Sequence, residues 1–218
     1  MKKVALIHTA FALVEKLTEL FKEVIPEAEL MHIIDDSIIR EVIANDGVTK
    51  PVIARMLSYF KSAEYYKVDC ILNACSSVGE VADIARQIIP TPIVKIDEKM
   101  TEEALAKSLD IGIAATLKTA LEPTSRMIEK KAAVLGKKIR LTKAVCPGAF
   151  EELISGNPLK HDEMVLRYVE ELAEKVEVIV FAQGSMARLV SSLDKDLVDR
   201  IFTSPRSGVL EVKKVLGL

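Results

Sequence analysis

Two stretches decide the reading of this chain: Asp69-Cys70-Ile71-Leu72-Asn73-Ala74-Cys75-Ser76-Ser77-Val78 and Glu177-Val178-Ile179-Val180-Phe181-Ala182-Gln183-Gly184-Ser185-Met186. Each is a short apolar run, bounded by polar residues, that enters a polar turn and then a helical pattern, which is how a buried parallel strand feeding a helix reads. They align at an offset of 108 residues, about half of the 218-residue chain. The spacing implies a duplicated α/β unit whose halves share a cleft. At the equivalent apex position one half carries Cys75 and the other Gln183.

The duplication extends outward. Val4-Ala5-Leu6-Ile7-His8-Thr9 matches Ile111-Gly112-Ile113-Ala114-Ala115-Thr116 at an offset of 107, each ending an apolar run in Thr. Ile89-Pro90-Thr91-Pro92 loosely parallels Phe202-Thr203-Ser204-Pro205. Short β-rich runs alternate with helical patterns throughout, predicting mainly parallel sheets with helices on both faces. Strands are expected at 3–9, 28–34, 68–74, 92–96, 110–116, 138–145, 177–183 and 200–204. Helices are expected at 10–23, 50–66, 77–88, 98–107, 120–135, 159–174, 186–192 and 206–216. The halves then comprise residues 1–97 with 207–218, carrying Cys75, and residues 98–206, carrying Gln183, with four strands each.

Composition bounds the function. Half the residues are hydrophobic, 28% are charged and the formal net charge is −2, a folded composition with no basic face for nucleic acid. No apolar stretch approaches the roughly 20 residues that cross a bilayer. The opening Met1-Lys2-Lys3 leads into a run too short for a secretory leader, so it reads as a first strand and a cytoplasmic location is expected. Three cysteines without C-x-x-C spacing and three scattered histidines imply neither a disulfide framework nor a metal site. No dinucleotide or phosphate-loop glycine motif occurs, so no nucleotide cofactor is expected.

Ligands of open parallel sheets bind beyond the carboxyl ends of the strands. That rule selects His8 and Thr9, Cys75 with Ser76 and Ser77, Asp97, Thr116 and Thr119, Cys146, and Gln183 with Gly184 and Ser185. Cys75 opens a helix, whose N–H groups should lower its thiol pKa toward neutrality and yield a nucleophilic or basic thiolate. Ser76 and Ser77 add hydroxyls that could cradle a carboxylate or oxyanion. Cys70 reads as core, and His161 as lying on a solvated helix start. Gln183 cannot exchange a proton at neutral pH; its amide only donates and accepts hydrogen bonds.

These residues resemble the aspartate/glutamate/hydantoin racemase superfamily over essentially the whole chain. The resemblance rests on Val4–Thr9, Cys75-Ser76-Ser77-Val78-Gly79 and Thr91-Pro92-Ile93-Val94-Lys95-Ile96-Asp97-Glu98. It rests also on Ile111–Thr116 with Leu121-Glu122-Pro123-Thr124, and on Ser204-Pro205-Arg206-Ser207-Gly208. It implies two flavodoxin-like, Rossmann-like halves and a cofactor-independent enzyme. In such enzymes a cysteine from each half flanks the substrate's α-carbon. Cys75 matches the first; the second motif is usually Gly-Cys-Thr, and here Gln183 stands in its place. Cys146-Pro147 resembles a non-catalytic Cys-Pro of glutamate racemases.

Three functions remain open at this point. The first is a racemase-like isomerase acting on a small amino acid, hydantoin or other carboxylate. Cys75 is then catalytic, Gln183 stands at the opposite face, and His8, Thr9, Ser76, Ser77, Thr116, Thr119, Gly184 and Ser185 bind substrate. The second is a one-cysteine decarboxylase of a malonate-type acid, and the third a non-catalytic small-acid binding protein. A homo-oligomer, most simply a dimer, is expected from the resemblance.

Overall fold

The computed structural model describes all residues, Met1–Leu218. The chain divides into two compact units, Met1–Lys99 with Pro205–Leu218, and Met100–Ser204.

The first unit is an all-parallel sheet ordered β2-β1-β3-β4, from Lys2–His8 (β1), Ala28–Ile34 (β2), Cys70–Asn73 (β3) and Ile93–Lys95 (β4). Central β1 buries Val4 through Ile7 completely, because both faces of a parallel sheet are covered. Alternation along β1 and β3 sends Ala5, Ile7 and Ile71 to one face and Val4, Leu6, Cys70 and Leu72 to the other. The first face packs on Asp36–Ala44 (α2), Lys50–Tyr65 (α3) and Gly79–Ala85 (α4). The second packs on Val14–Val24 (α1), on Val209 and Val212 of the last helix and on Leu216 just past its end.

The second unit repeats the order as β6-β5-β7-β8, again all parallel: Asp110–Ala115 (β5), Arg140–Val145 (β6), Val178–Phe181 (β7) and Ile201–Phe202 (β8). Glu98–Lys107 (α5), which enters this unit after its first two residues, and Lys118–Val134 (α6) cover one face. Ala149–Ile154 (α7), Pro158–Ala173 (α8) and the 3-10 segment Gly184–Ser192 contribute to the other. A short Lys195–Val198 (α9) precedes β8, and Ser204–Val215 (α10) returns to the first unit. Gly112 in β5 permits close helix packing, since a Cβ there would meet Val176 at 2.9 Å and Leu172 at 3.0 Å.

The differences from expectation are local. α2 falls in a stretch read as loop, although Asp35 caps it by accepting from Ser37 N–H at 3.0 Å and Ile38 and Val42 form its buried stripe. α7 and α9 were likewise not anticipated. The expected helix at 186–192 is 3-10 and begins at Gly184. His161 is not solvated: it is buried, because its spacing with Val165, Val169 and Leu172 puts it on the inward stripe of α8. Its Nδ1 meets Asp162 at 2.7 Å, and that carboxylate also holds Arg188.

Candidate active site

Chain direction locates each site. In the first unit β1 is followed by α1 on one face of the sheet and β3 by α4 on the other. The connections therefore diverge between β1 and β3, the switch point where open parallel sheets bind ligands. Thr9 leaves β1 and Cys75 leaves β3 at that point, with Ala74 N–H donating to Ile7 O at 3.0 Å to hold the two strand ends together.

Cys75 sits in extended conformation ahead of a 3-10 turn, Ser76–Val78, that runs into α4. Four donors lie about its sulfur: the hydroxyls of Thr9 and Ser77 and the N–H groups of Ser77 and Val78. These four donors favour a thiolate. Burial acts in the opposite direction and prevails, pushing the thiol above its ordinary value. This corrects the expectation that the helix start alone would bring the thiol toward neutrality: desolvating a small anion costs more than the donors return.

Ser76 donates to Asp97, a fully buried carboxyl just beyond β4. Burial pushes that carboxyl up, against the neighbouring Lys95 ammonium and the Ser76 hydroxyl. Lys95 pairs with Asp83 at 2.9 Å, and a Cβ on Gly79 would press against its stem at 3.1 Å. Asn73, buried at the end of β3, donates from Nδ2 to Cys75 O at 2.9 Å, and its Oδ1 has no protein partner.

His8 is not a base. Its Nε2 lies 3.0 Å from His32 Nδ1, and the rings stack with centroids 5.2 Å apart. His32 Nε2 lies 3.4 Å from Thr18 Oγ1, whose proton goes to Val14 O at 2.7 Å. Thr18 therefore accepts from His32, which leaves His32 Nδ1 to accept from His8 Nε2–H. Burial, then the charge of His32, lowers the His8 pKa to about 4. The signal was in the sequence: with Leu6 opposite His32, both histidines project from the same face of adjacent strands.

The second unit has the same divergence between β5 and β7, where Thr116 and Gln183 emerge. Gln183 Oε1 accepts from Thr116 N–H at 2.6 Å and from Thr116 Oγ1 at 3.1 Å. A backbone N–H can only donate, so the amide orientation is fixed and Nε2 is left as a donor. Thr116 thus does for Gln183 what Thr9 does for Cys75. Thr119, in the first turn of α6, buries an Oγ1 without a protein partner. Gly184 and Ser185 open the 3-10 segment beyond Gln183.

The other cysteines lie in cores. Cys70 has its thiol pushed up by burial to about 12. Cys146 directly follows β6, an edge strand away from the switch point, and burial also raises its thiol. No group of three His, Cys, Asp or Glu side chains could hold a metal ion, and no helix is long and apolar enough to cross a membrane.

A sequence model of the Asp/Glu/hydantoin racemase family matches residues 6–212. The chain belongs to this family. It is therefore an enzyme of the isomerase class, of racemase type. A comparison with curated proteins found no match. Among solved structures, the chain is similar to glutamate racemase from Francisella tularensis in complex with D-glutamate (TM-score 0.75, 12% identity, covering 99% of this chain and 81% of that one). An aspartate racemase homologue from Pyrococcus horikoshii matches with TM-score 0.72, 18% identity and full coverage of both chains. Allantoin racemase from Klebsiella pneumoniae matches with TM-score 0.69 and 18% identity over 100% of this chain and 89% of that one. At these identities the likeness is one of fold.

Proposed function

We propose that this family member is a cofactor-independent isomerase of a small amino acid, hydantoin or related carboxylate, with Cys75 as the group that removes the α-proton. The observation that carries this reading is the placement of Cys75 at a switch point, just beyond β3 and beside the end of β1, with hydroxyl and N–H donors about its sulfur. Donors aimed at a sulfur lower the cost of the thiolate in the state where the proton has been transferred. The thiolate accepts the α-proton, the C–H electron pair passes into the adjacent carbonyl, and water on the opposite face gives the carbon its new proton while the thiol releases its own to solvent. Inversion requires a proton from the other face. Gln183 cannot supply it, so substrates with a stabilised carbanion, which water itself can reprotonate, suit this chain best.

A one-cysteine decarboxylase is the second reading. Burial favours the neutral Cys75 thiol at rest, which is the form that would protonate the carbanion left when CO₂ departs from a substituted malonate. One experiment separates the two. The protein is incubated in D₂O with amino acids, 5-substituted hydantoins and substituted malonates, followed by chiral chromatography and mass spectrometry. α-Deuteration with inversion that disappears in Cys75→Ser supports the isomerase. CO₂ release from malonates alone transfers support to the lyase, and exchange that survives Cys75→Ser removes Cys75 from either role.

A further inference from the structure

We propose that Gln183 makes the switch point of the second unit a subsite for a hydrogen-bond acceptor, the carbonyl or carboxylate oxygen of a small ligand. The strands fix the placement. β5 and β7 are paired neighbours, with Ala114 opposite Phe181 and Ala182 N–H donating to Ala114 O at 3.0 Å. Thr116 and Gln183 therefore leave the sheet side by side. Gln183 Oε1 takes the Thr116 N–H at 2.6 Å and the Thr116 hydroxyl at 3.1 Å, and these are the side chain's only protein partners. Both lone pairs of Oε1 are then used. In a half-buried side chain this leaves Nε2 with two N–H groups and no protein acceptor. By holding Oε1, Thr116 also forbids the flipped amide, in which an outward oxygen could receive an ammonium.

A second, independent observation lies in the helix that follows Thr116. The 17-residue α6 starts at Lys118, and Leu117 ahead of it provides no side-chain cap. The N–H groups of Ala120 and Leu121 return to Leu117 O, whereas those of Lys118 and Thr119 are ones that a helix leaves without an internal partner. Thr119 is 9% exposed, and its Oγ1 is buried with no protein partner. A buried hydroxyl left unpaired costs stability, and native structures rarely keep one that nothing ever meets. The amide of Gln183 and the start of α6 offer donors only. They suit a carbonyl or carboxylate oxygen and are unfit for an ammonium. The oxygen-bearing end of an amino acid or hydantoin is what this switch point takes, and a glutamine serves there without exchanging a proton.

The inference rests on the proposed function for the substrate class alone, and its test needs no turnover. α-Aminoisobutyrate and 5,5-dimethylhydantoin carry a carboxylate or imide carbonyls but no α-hydrogen, and isopropylamine carries the ammonium alone. Binding to the full-length protein is followed by calorimetry and by the side-chain amide resonances of ¹⁵N-glutamine-labelled protein, Gln183 being assigned by its absence in Gln183→Glu. That variant keeps an oxygen for the Thr116 N–H and hydroxyl and exchanges the outer donors for an acceptor. The Gln183 amide is expected to shift with the first two probes and not with isopropylamine. Gln183→Glu should weaken binding of both about tenfold at an unchanged melting temperature; the uncharged hydantoin separates loss of a donor from charge repulsion. A Gln183 that only caps Thr116 would leave the hydantoin's affinity as it is in Gln183→Glu. That result, an amide unmoved by both oxygen-bearing probes, or a response to isopropylamine alone overturns the proposal. Should Gln183→Glu fail to fold, Gln183→Met decides by the same criterion. Absence of α-proton exchange in D₂O would remove the isomerase reading while leaving the binding comparison valid, so the two can fail separately.

Discussion

The His8–His32 pair makes the stability of this protein depend on pH in a calculable way. His8 is 2% exposed and its pKa is lowered from 6.5 to about 4. In the unfolded chain His8 takes up a proton as pH falls through its ordinary value, while the folded state refuses one until the pH is much lower. The stability this contributes is complete above the unfolded pKa, is lost as pH falls from there to about 4, and then levels off. Between pH 7 and about pH 5 the loss from His8 alone is about 2 kcal/mol. His32 is also lowered, by burial, and adds in the same direction. The perturbation is His8→Leu, which removes this titration and keeps an apolar side chain beside β2. Urea unfolding at both pH values gives the difference. Wild type is expected to lose about 2 kcal/mol more than His8→Leu over this interval, a large fraction of the 5–15 kcal/mol that holds a typical domain. Equal losses in the two proteins would show that His8 is not held neutral by burial, and the tautomer chain through His32 and Thr18 would fall with it.

Further outcomes follow from the same geometry. Because burial holds the Cys75 thiol above its ordinary value, kcat/KM for α-proton exchange should climb with pH through neutrality and into the alkaline range; a plateau below pH 7 in a pH–rate profile would contradict the raised thiol. Thr9→Val removes one of the four donors and should slow exchange about tenfold at neutral pH while moving the melting temperature little, by steady-state kinetics and calorimetry. Gln183→Cys supplies a second thiol where the Thr116 hydroxyl can serve it, and chiral analysis in D₂O should show inversion faster than in wild type. Gly208→Ala is expected to cost about 2 kcal/mol in urea unfolding, because its Cβ would meet the Ile96 backbone oxygen at 2.9 Å and backbone cannot swing aside.

What the sequence made legible was what repetition exposes. Two apolar runs ending in Thr and two runs ending in polar turns locate both switch points, since strand ends are fixed by local pattern. The opposite electrostatics of the two apexes, Cys75 against Gln183, could also be read directly. The sign of the Cys75 shift could not, because desolvation depends on everything packed around the sulfur and not on the turn alone. Asn73 was visible as a polar residue in the turn, yet its role depends on which carbonyl it reaches. Ser76 and Ser77 look interchangeable in sequence, but one donates to Asp97 and the other to Cys75. His161 was misplaced because a helix start was taken as solvated without extending the inward stripe back to it. α2 was missed although Asp35-Asp36-Ser37 carries a capping signal, because its apolar stripe is only two residues wide.

The return of α10 to the first unit has a consequence for how the chain is made. Val209, Val212 and Leu216 complete one face of the sheet that carries Cys75, at about 1.5–3 kcal/mol each. Residues 100–204 form an uninterrupted unit that needs nothing from the segment after it. The cysteine-bearing unit, begun first, must wait with an apolar sheet face uncovered until residues 205–218 have left the ribosome. A nascent chain stopped short of them would hold every residue of the Cys75 turn and still lack a stable seat for it.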